Sequence, residues 1–137
     1  MNKIKIGLSI SLTGNYSIQG IESFEGIKLW VEETNSRGGI LVRELGAKLP
    51  IELVYYNDKS SVDTCRANTK RLILEDKVNL LLGPYSSSLA LAACEVAEEH
   101  SKTLWNYGGS TDEILERNFT CVINAITPAS NYSHGII

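Results

Sequence analysis

The fold is decided at residues 78–88, which read Val78-Asn79-Leu80-Leu81-Leu82-Gly83-Pro84-Tyr85-Ser86-Ser87-Ser88. The first five residues are largely apolar, which is typical of a short parallel strand covered by helices on both faces. Gly83 and Pro84 end that strand, and the serines supply hydroxyls that commonly cap the first turn of a helix. We therefore predict a buried strand, a tight loop and a helix that continues to about His100.

The same succession of strand, loop and helix occurs on both sides of this stretch. Further strands are predicted at residues 4–10, 51–56, 103–107 and 121–125, and further helices at residues 21–35, at residues 62–76 and from Ser110 or Thr111 onwards. Alternation of this kind predicts a parallel sheet with right-handed crossovers. The expected fold class is therefore α/β, a doubly wound parallel sheet sandwich with the flavodoxin-like strand order 2-1-3-4-5.

Length and composition exclude several classes of protein. The chain has 137 residues, which suits one domain, and its 43% hydrophobic and 21% charged residues are ordinary globular values. A net charge of -3 without a basic stripe argues against a nucleic acid partner. The three cysteines lack a CxxC pair or a nearby histidine pattern, so we expect buried thiols, no zinc site and no disulfide framework.

Three predicted loops, at residues 11–20, 83–88 and 106–111, follow strand ends and are rich in hydroxyl groups and glycine. In an open α/β sheet, ligands bind beyond the carboxyl ends of the strands, where the strand order reverses. In the second loop, helix N–H groups and a serine hydroxyl could hold a carboxylate. The alternative is that one serine is only an N-cap.

The third loop carries the same ambiguity. Gly108 and Gly109 would let the backbone approach a ligand closely, and the Ser110 hydroxyl can both donate and accept hydrogen bonds. The run Ser110-Thr111-Asp112-Glu113 also matches a capping box, which would explain Ser110 without any ligand.

Catalytic, metal and cofactor sites are not predicted. The sequence contains no GxGxxG, no phosphate loop and no nucleophile elbow, so an enzyme of the nucleotide-binding α/β type is disfavoured. His100 and His134 are far apart in sequence, and His100 lies at a predicted helix end, where a cation is stabilising. Asp58 follows the second predicted strand and is expected to cap its loop rather than contact a ribose.

The order of these motifs resembles the leucine/isoleucine/valine-binding family of ABC transporter receptors, which are type I periplasmic binding proteins. The matching stretches are residues 3–7, 11–14, 32–40, 51–58, 83–88 and 108–114. The resemblance implies two α/β lobes that close over an amino acid, an amide, urea or an aromatic acid. It also implies that residues 1–126 form the amino-terminal ligand-binding lobe and that residues 127–137 cross into a second lobe, which the chain lacks.

The resemblance further implies roles for individual residues. A serine placed like Ser87 binds the ligand carboxylate, and positions like Gly108 and Ser110 hold the ammonium through a carbonyl and a hydroxyl. Tyr85 and Gln19 match cleft-wall positions that tune ligand choice. The expected ligand-binding residues are Ser87, Gly108, Ser110, Tyr85, Ser86, Gln19 and Tyr107.

Two features depart from the family pattern. Some members carry a disulfide at the positions that match Ser60 and Ser86, so that bond is absent here. A single lobe also offers only one wall of the cleft, so we expect weak solute binding. The open cleft face and the final segment further predict self-association.

The leading hypothesis is a transport receptor that works with an ABC permease in the periplasm or another extracytoplasmic location. The alternative is a cytoplasmic ligand sensor of the same fold, similar to amide-responsive regulators. The sequence starts at Met1 without an apolar leader, which fits either a cytoplasmic protein or removal of a leader.

Overall fold

A parallel sheet forms the centre of the computed structural model, which describes residues 2–135. The strands are β1 Ile4–Ile10, β2 Ile40–Val42, β3 Ala47–Leu49, β4 Ile51–Asn57, β5 Leu80–Leu82, β6 Leu104–Asn106 and β7 Val122–Asn124. The helices are α1 Ser17–Ser36, α2 Val62–Leu74, α3 Ser87–Glu99 and α4 Glu113–Glu116. Five strands form the sheet in the order β4-β1-β5-β6-β7, and every pairing in it is parallel. Counting only these five, the predicted α/β fold and the order 2-1-3-4-5 are confirmed.

Helices α1 and α4 and the hairpin β2–β3 differ from the sequence-based expectation, and α4 begins at Glu113 rather than at Ser110 or Thr111. Helix α1 begins at Ser17 rather than at residue 21, because Gly20 lies inside the helix, where it packs against the backbone of Ser11. The antiparallel hairpin β2–β3 was not predicted. Its two strands have three residues each, which is too short for an alternating pattern to be recognised, and Gly46 turns the chain between them in the left-handed conformation.

The helices divide unequally between the two faces of the sheet. Helices α2, α3 and α4 bury their apolar residues in one large cluster that includes Leu72, Leu89 and Ile114. On the other face, Phe24 of α1 packs with Leu8 and Ile10 of β1 in a smaller cluster. None of the helices within residues 2–135 is both long and apolar enough to span a bilayer.

Two of the three cysteines lie in the larger cluster. Cys65 and Cys94 are buried there, whereas Cys121 is only half-buried, so the expectation of three buried thiols is wrong at one position. Burial raises the pKa of the Cys65 thiol to about 11 and that of Cys94 to about 12.

We expect the folded chain to react with iodoacetamide at pH 8 through Cys121 only. The thiolate is the reacting form, and a pKa near 11 leaves about one thiol in a thousand ionised at that pH. Mass spectrometry should therefore detect a single modification in buffer and three modifications in denaturant. Rapid modification of Cys65 or Cys94 in buffer would contradict the burial that the fold assigns to them.

Candidate functional site

Three loops leave the same edge of the sheet, because β1, β5 and β6 run parallel to one another. After β1 the chain proceeds to β4 on one side, and after α2 it returns to β5 on the other side. The strand order therefore reverses between β1 and β5. A crevice at such a reversal is the usual ligand site of open α/β sheets.

An aromatic contact crosses this crevice. The ring centroids of Tyr16, before α1, and Tyr85, after β5, are 6.2 Å apart in an edge-on arrangement at 66°. Both side chains are half-buried. Tyr16 was not among the predicted site residues, since its position in a polar loop gives no sign of its partner.

The loop after β1 is anchored to a buried carboxylate. Asp58 is fully buried, and its side-chain oxygens accept hydrogen bonds from Ser11 Oγ at 2.6 Å and Ser9 Oγ at 3.2 Å. The Ser60 N–H donates to the same carboxylate at 2.8 Å. The expectation that Asp58 caps its loop is therefore confirmed, and it also fixes the end of β1.

Ser60 ties the first loop to the loop after β4. Its hydroxyl accepts a hydrogen bond from the Tyr16 N–H at 3.0 Å and donates one to the Thr13 carbonyl at 2.9 Å. Gly14 lies between these contacts at φ +88°, and a Cβ there would be 2.6 Å from the Lys59 carbonyl oxygen. Only glycine suits that position, so this loop has a specified shape.

In the second loop, two neighbouring serines have different roles. Ser86 is the N-cap of α3, and its Oγ accepts from the Leu89 N–H at 3.4 Å. It is held at φ +82°, a conformation that favours glycine. The Ser87 Oγ instead accepts from the Thr111 N–H at 3.2 Å and so joins the second loop to the third. Simple capping therefore accounts for Ser86 but not for Ser87.

The third loop is shaped by a buried amide that sequence reasoning missed. Asn106 is fully buried, accepts from the Gly109 N–H at 2.9 Å and donates to the Gly109 carbonyl at 2.7 Å. Its amide also donates to Asn124 Oδ1 at 2.9 Å. A Cβ at Gly108 would lie 2.5 Å from the Pro84 carbonyl oxygen, so the second and third loops are in direct backbone contact.

The alternative that Ser110 opens a capping box is wrong. Helix α4 begins at Glu113, and the residue at its N-cap, Asp112, makes no capping hydrogen bond with its side chain. The Ser110 carbonyl accepts from the Ala129 N–H at 2.7 Å, and Ser130 Oγ donates to Asp112 at 2.6 Å. The segment after β7 therefore lies against this edge of the sheet.

The two remaining predicted site residues, Gln19 and Tyr107, make none of the contacts between the loops that are described above. Gln19 is exposed in the first turn of α1. Tyr107 packs against the cluster formed by Leu8, Ile10 and Phe24, and burial raises the pKa of Tyr107 to about 12. Within residues 2–135, no cluster of three or more His, Cys, Asp or Glu side chains is placed to hold a metal ion.

Comparison with known proteins gives consistent matches. A family profile described as periplasmic binding protein matches residues 3–133. The chain is 28% identical over 134 residues to the Leu/Ile/Val-binding protein homolog 7 of Brucella abortus (strain 2308). That match covers 98% of this chain and 32% of the relative, so the chain spans about a third of the length of the curated relatives it matches.

Two solved structures are similar at 25% identity. One is the branched-chain amino acid transporter substrate binding protein LivJ from Streptococcus pneumoniae in complex with isoleucine; its TM-score is 0.81, with 96% of this chain and 38% of that chain covered. The other is a solute binding protein of an ABC transporter from Rhodopseudomonas palustris BisB5 in complex with 3,4-dihydroxy benzoic acid. Its TM-score is 0.78, and the match covers 93% of this chain and 33% of that chain.

Proposed function

Because the chain belongs to the periplasmic binding protein family, we propose that it is the amino-terminal lobe of a solute-binding receptor of an ABC transporter. The relatives compared above are named as binding proteins, and we propose that this chain likewise performs no catalysis. The proposed solute is an amino acid or another small polar carboxylate, with an amide, urea or an aromatic acid as further members of the class. The observation that carries the proposal is the contact of Ser87 with the third loop, next to the strand-order reversal that β5 borders.

Ser87 is the proposed carboxylate ligand. Its oxygen already accepts the Thr111 N–H, so its own hydrogen is free to point towards a ligand oxygen. In the first turn of α3, the N–H groups of Leu89 and Ala90 already donate to the hydroxyl and the carbonyl of Ser86, which leaves those of Ser87 and Ser88 at the positive end of the helix. A carboxylate placed there would accept hydrogen bonds from the serine hydroxyl and from the helix backbone.

The other predicted residues are proposed to complete the same pocket. Gly108 and Ser110 would hold the ammonium or amide group through a backbone carbonyl and a hydroxyl. Tyr85, supported by Tyr16, would form an aromatic wall beside the carboxylate. Ser86, Gln19 and Tyr107 stay predictions for the same pocket.

Residues 1–126 are the proposed ligand-binding lobe, and residues 127–137 are the proposed crossover into a second lobe. Because the chain spans about a third of its relatives' length, the activity of the whole receptor, its permease partner and its extracytoplasmic location are proposals. A single lobe buries only one side of a solute. Loss of about 3 kcal/mol of contacts lowers affinity about a hundredfold, so a solute that a whole receptor binds at about 1 μM should bind this chain at about 0.1 mM.

Replacement of Ser87 with alanine tests this proposal. We expect isoleucine and 3,4-dihydroxybenzoate, each titrated separately, to shift the backbone amide resonances of residues 85–88 and 107–111 in a two-dimensional NMR spectrum. Ser87→Ala should weaken the binding of the solute that binds by about tenfold, since a hydrogen bond to a charged group is lost.

Ser88→Ala is the matched control, because Ser88 is exposed and its hydroxyl contacts only the neighbouring Ser86 hydroxyl at 3.4 Å among the described residues. It should leave the dissociation constant unchanged. Equal effects of the two substitutions would contradict the role of Ser87. Micromolar binding by the unmodified chain would contradict the single-wall argument.

A further inference from the structure

The side chain of Asn106, at the end of β6, binds both polar backbone groups of one glycine. Its Oδ1 accepts the Gly109 N–H at 2.9 Å, and its Nδ2 donates to the Gly109 carbonyl at 2.7 Å. The same Nδ2 also donates to Asn124 Oδ1 at 2.9 Å. A side-chain amide has two donor hydrogens and one acceptor oxygen. Because all three are used here, only one orientation of the Asn106 amide satisfies its partners.

These bonds fix the directions of two successive peptide groups in the third loop. Both peptide bonds are trans, so the C=O and the N–H of each group point in opposite directions. The Gly109 N–H points at Asn106, and the Gly108 carbonyl of the same peptide group therefore points away from it. Likewise, the Gly109 carbonyl points at Asn106 and the Ser110 N–H points away. Asn106 has 0% exposure, so one acceptor and one donor are directed out of the core.

The third loop is also held against α3, the helix that begins with Ser87. Gly109 is buried, and a Cβ there would lie 2.3 Å from the Cβ of Ala90. The Thr111 N–H donates to Ser87 Oγ at 3.2 Å. The two outward-pointing groups of the loop are therefore kept at a set position relative to the proposed carboxylate ligand.

These outward-pointing groups remain accessible within the described part of the chain. Gly108 and Ser110 are both half-buried. Within residues 2–135, the Gly108 carbonyl and the Ser110 N–H form no hydrogen bond. An α-amino acid carries a donor group, the ammonium, and an acceptor group, the carboxylate, on adjacent atoms. The acceptor and the donor of this loop are complementary to that pair.

We propose that Asn106 is a positioning residue that makes the pocket select solutes with an ammonium group. The inference rests on the proposed function, in which Ser87 binds the carboxylate and Gly108 and Ser110 bind the ammonium. An ammonium group only donates hydrogen bonds, so it needs an acceptor that points at it. The Gly108 carbonyl is aimed in this way as long as Asn106 holds the Gly109 N–H. Asn106 is itself buried and acts through the loop.

Asn124, the last residue of β7, allows this role to be tested from the surface. Its side chain is exposed, and its Oδ1 accepts one of the two Asn106 amide hydrogens. Asn124→Ala removes that acceptor and lets the Asn106 amide turn, without a change in the core. Asn124→Asp keeps an acceptor oxygen in the same place and is the matched control. Asn106→Leu removes the amide altogether, and circular dichroism checks that this variant is folded.

The test compares isoleucine with its deaminated analogue, 3-methylpentanoate, in separate NMR titrations. The unmodified chain should bind isoleucine at least about tenfold more tightly, since the analogue lacks a charge-assisted hydrogen bond. Asn124→Ala should lower this ratio about threefold and Asn106→Leu should lower it to about one, whereas Asn124→Asp should leave it unchanged. The affinity for the analogue should change by less than about threefold in every variant, because Ser87 still holds its carboxylate.

Contrary results separate this inference from the proposed function. Equal affinity of the unmodified chain for isoleucine and the analogue would overturn the selection of an ammonium group, as would binding of 3,4-dihydroxybenzoate alone. The proposed function would stand in both cases. Equal loss of affinity for isoleucine and the analogue in Asn124→Ala would give Asn106 a structural role only. Absence of binding by all three solutes would overturn the proposed function and this inference with it.

Discussion

Replacement of Gly20 with alanine is expected to lower the free energy of unfolding by about 3 kcal/mol. A Cβ at this position would lie 2.0 Å from the Ser11 carbonyl oxygen, far inside van der Waals contact. The atoms that this Cβ would meet first belong to the backbone of Ser11, just after the end of β1. No flexible side chain can therefore move aside to make room. Helix α1 must therefore shift away from the loop that carries Tyr16.

Gly26 in the same helix is the control for this substitution. A Cβ there would meet no atom within 4 Å, so Gly26→Ala should raise the free energy of unfolding by about 0.5–1 kcal/mol through better helix propensity. Urea denaturation monitored by circular dichroism measures both values. Similar changes at the two positions would contradict the close approach of α1 to Ser11.

Removal of the Asp58 carboxylate is the second substitution with a large expected effect. Asp58→Ala should lower the free energy of unfolding by about 3 kcal/mol, since the two serine hydroxyls and the Ser60 N–H lose their buried acceptor. The Tyr16 N–H, which donates to Ser60 Oγ, should also exchange its hydrogen faster. Urea denaturation and hydrogen exchange provide the two measurements.

Asp63→Ala is the control for the carboxylate. Asp63 is exposed in the first turn of α2, where its charge contributes about 0.5 kcal/mol through the helix dipole. The two aspartates follow the same strand within six residues, so they differ mainly in burial and hydrogen bonding. Equal destabilisation by the two substitutions would remove the argument that Asp58 anchors the first loop.

The parallel sheet could be predicted because its signal is local. The strands are short apolar or alternating segments, each helix follows a turn rich in glycine or hydroxyl groups, and this alternation of strands and helices leaves few possible topologies. The hairpin β2–β3 has no such signal in its three-residue strands. The start of α1 was misplaced because a glycine normally disfavours a helix, whereas Gly20 is needed there for a close tertiary contact.

The candidate site likewise has one part that could be predicted from the sequence and one part that could not. Its loops were predicted from strand ends, but their connections depend on residues distant in sequence. Ser11 and Asp58 are 47 positions apart, and Ser87 and Thr111 are 24 apart. The role of Asn106 as the support of the third loop was likewise hidden, because in sequence it is only the last residue of a strand.

The contacts between the loops have a consequence for the thermodynamics of recognition. Tyr16 and Tyr85 join the first loop to the second, and Ser87 joins the second to the third. These contacts restrict the loops on both sides of the crevice, so the proposed solute would leave them little backbone freedom to lose. Such preorganisation confines the entropic penalty of capture largely to the solute itself.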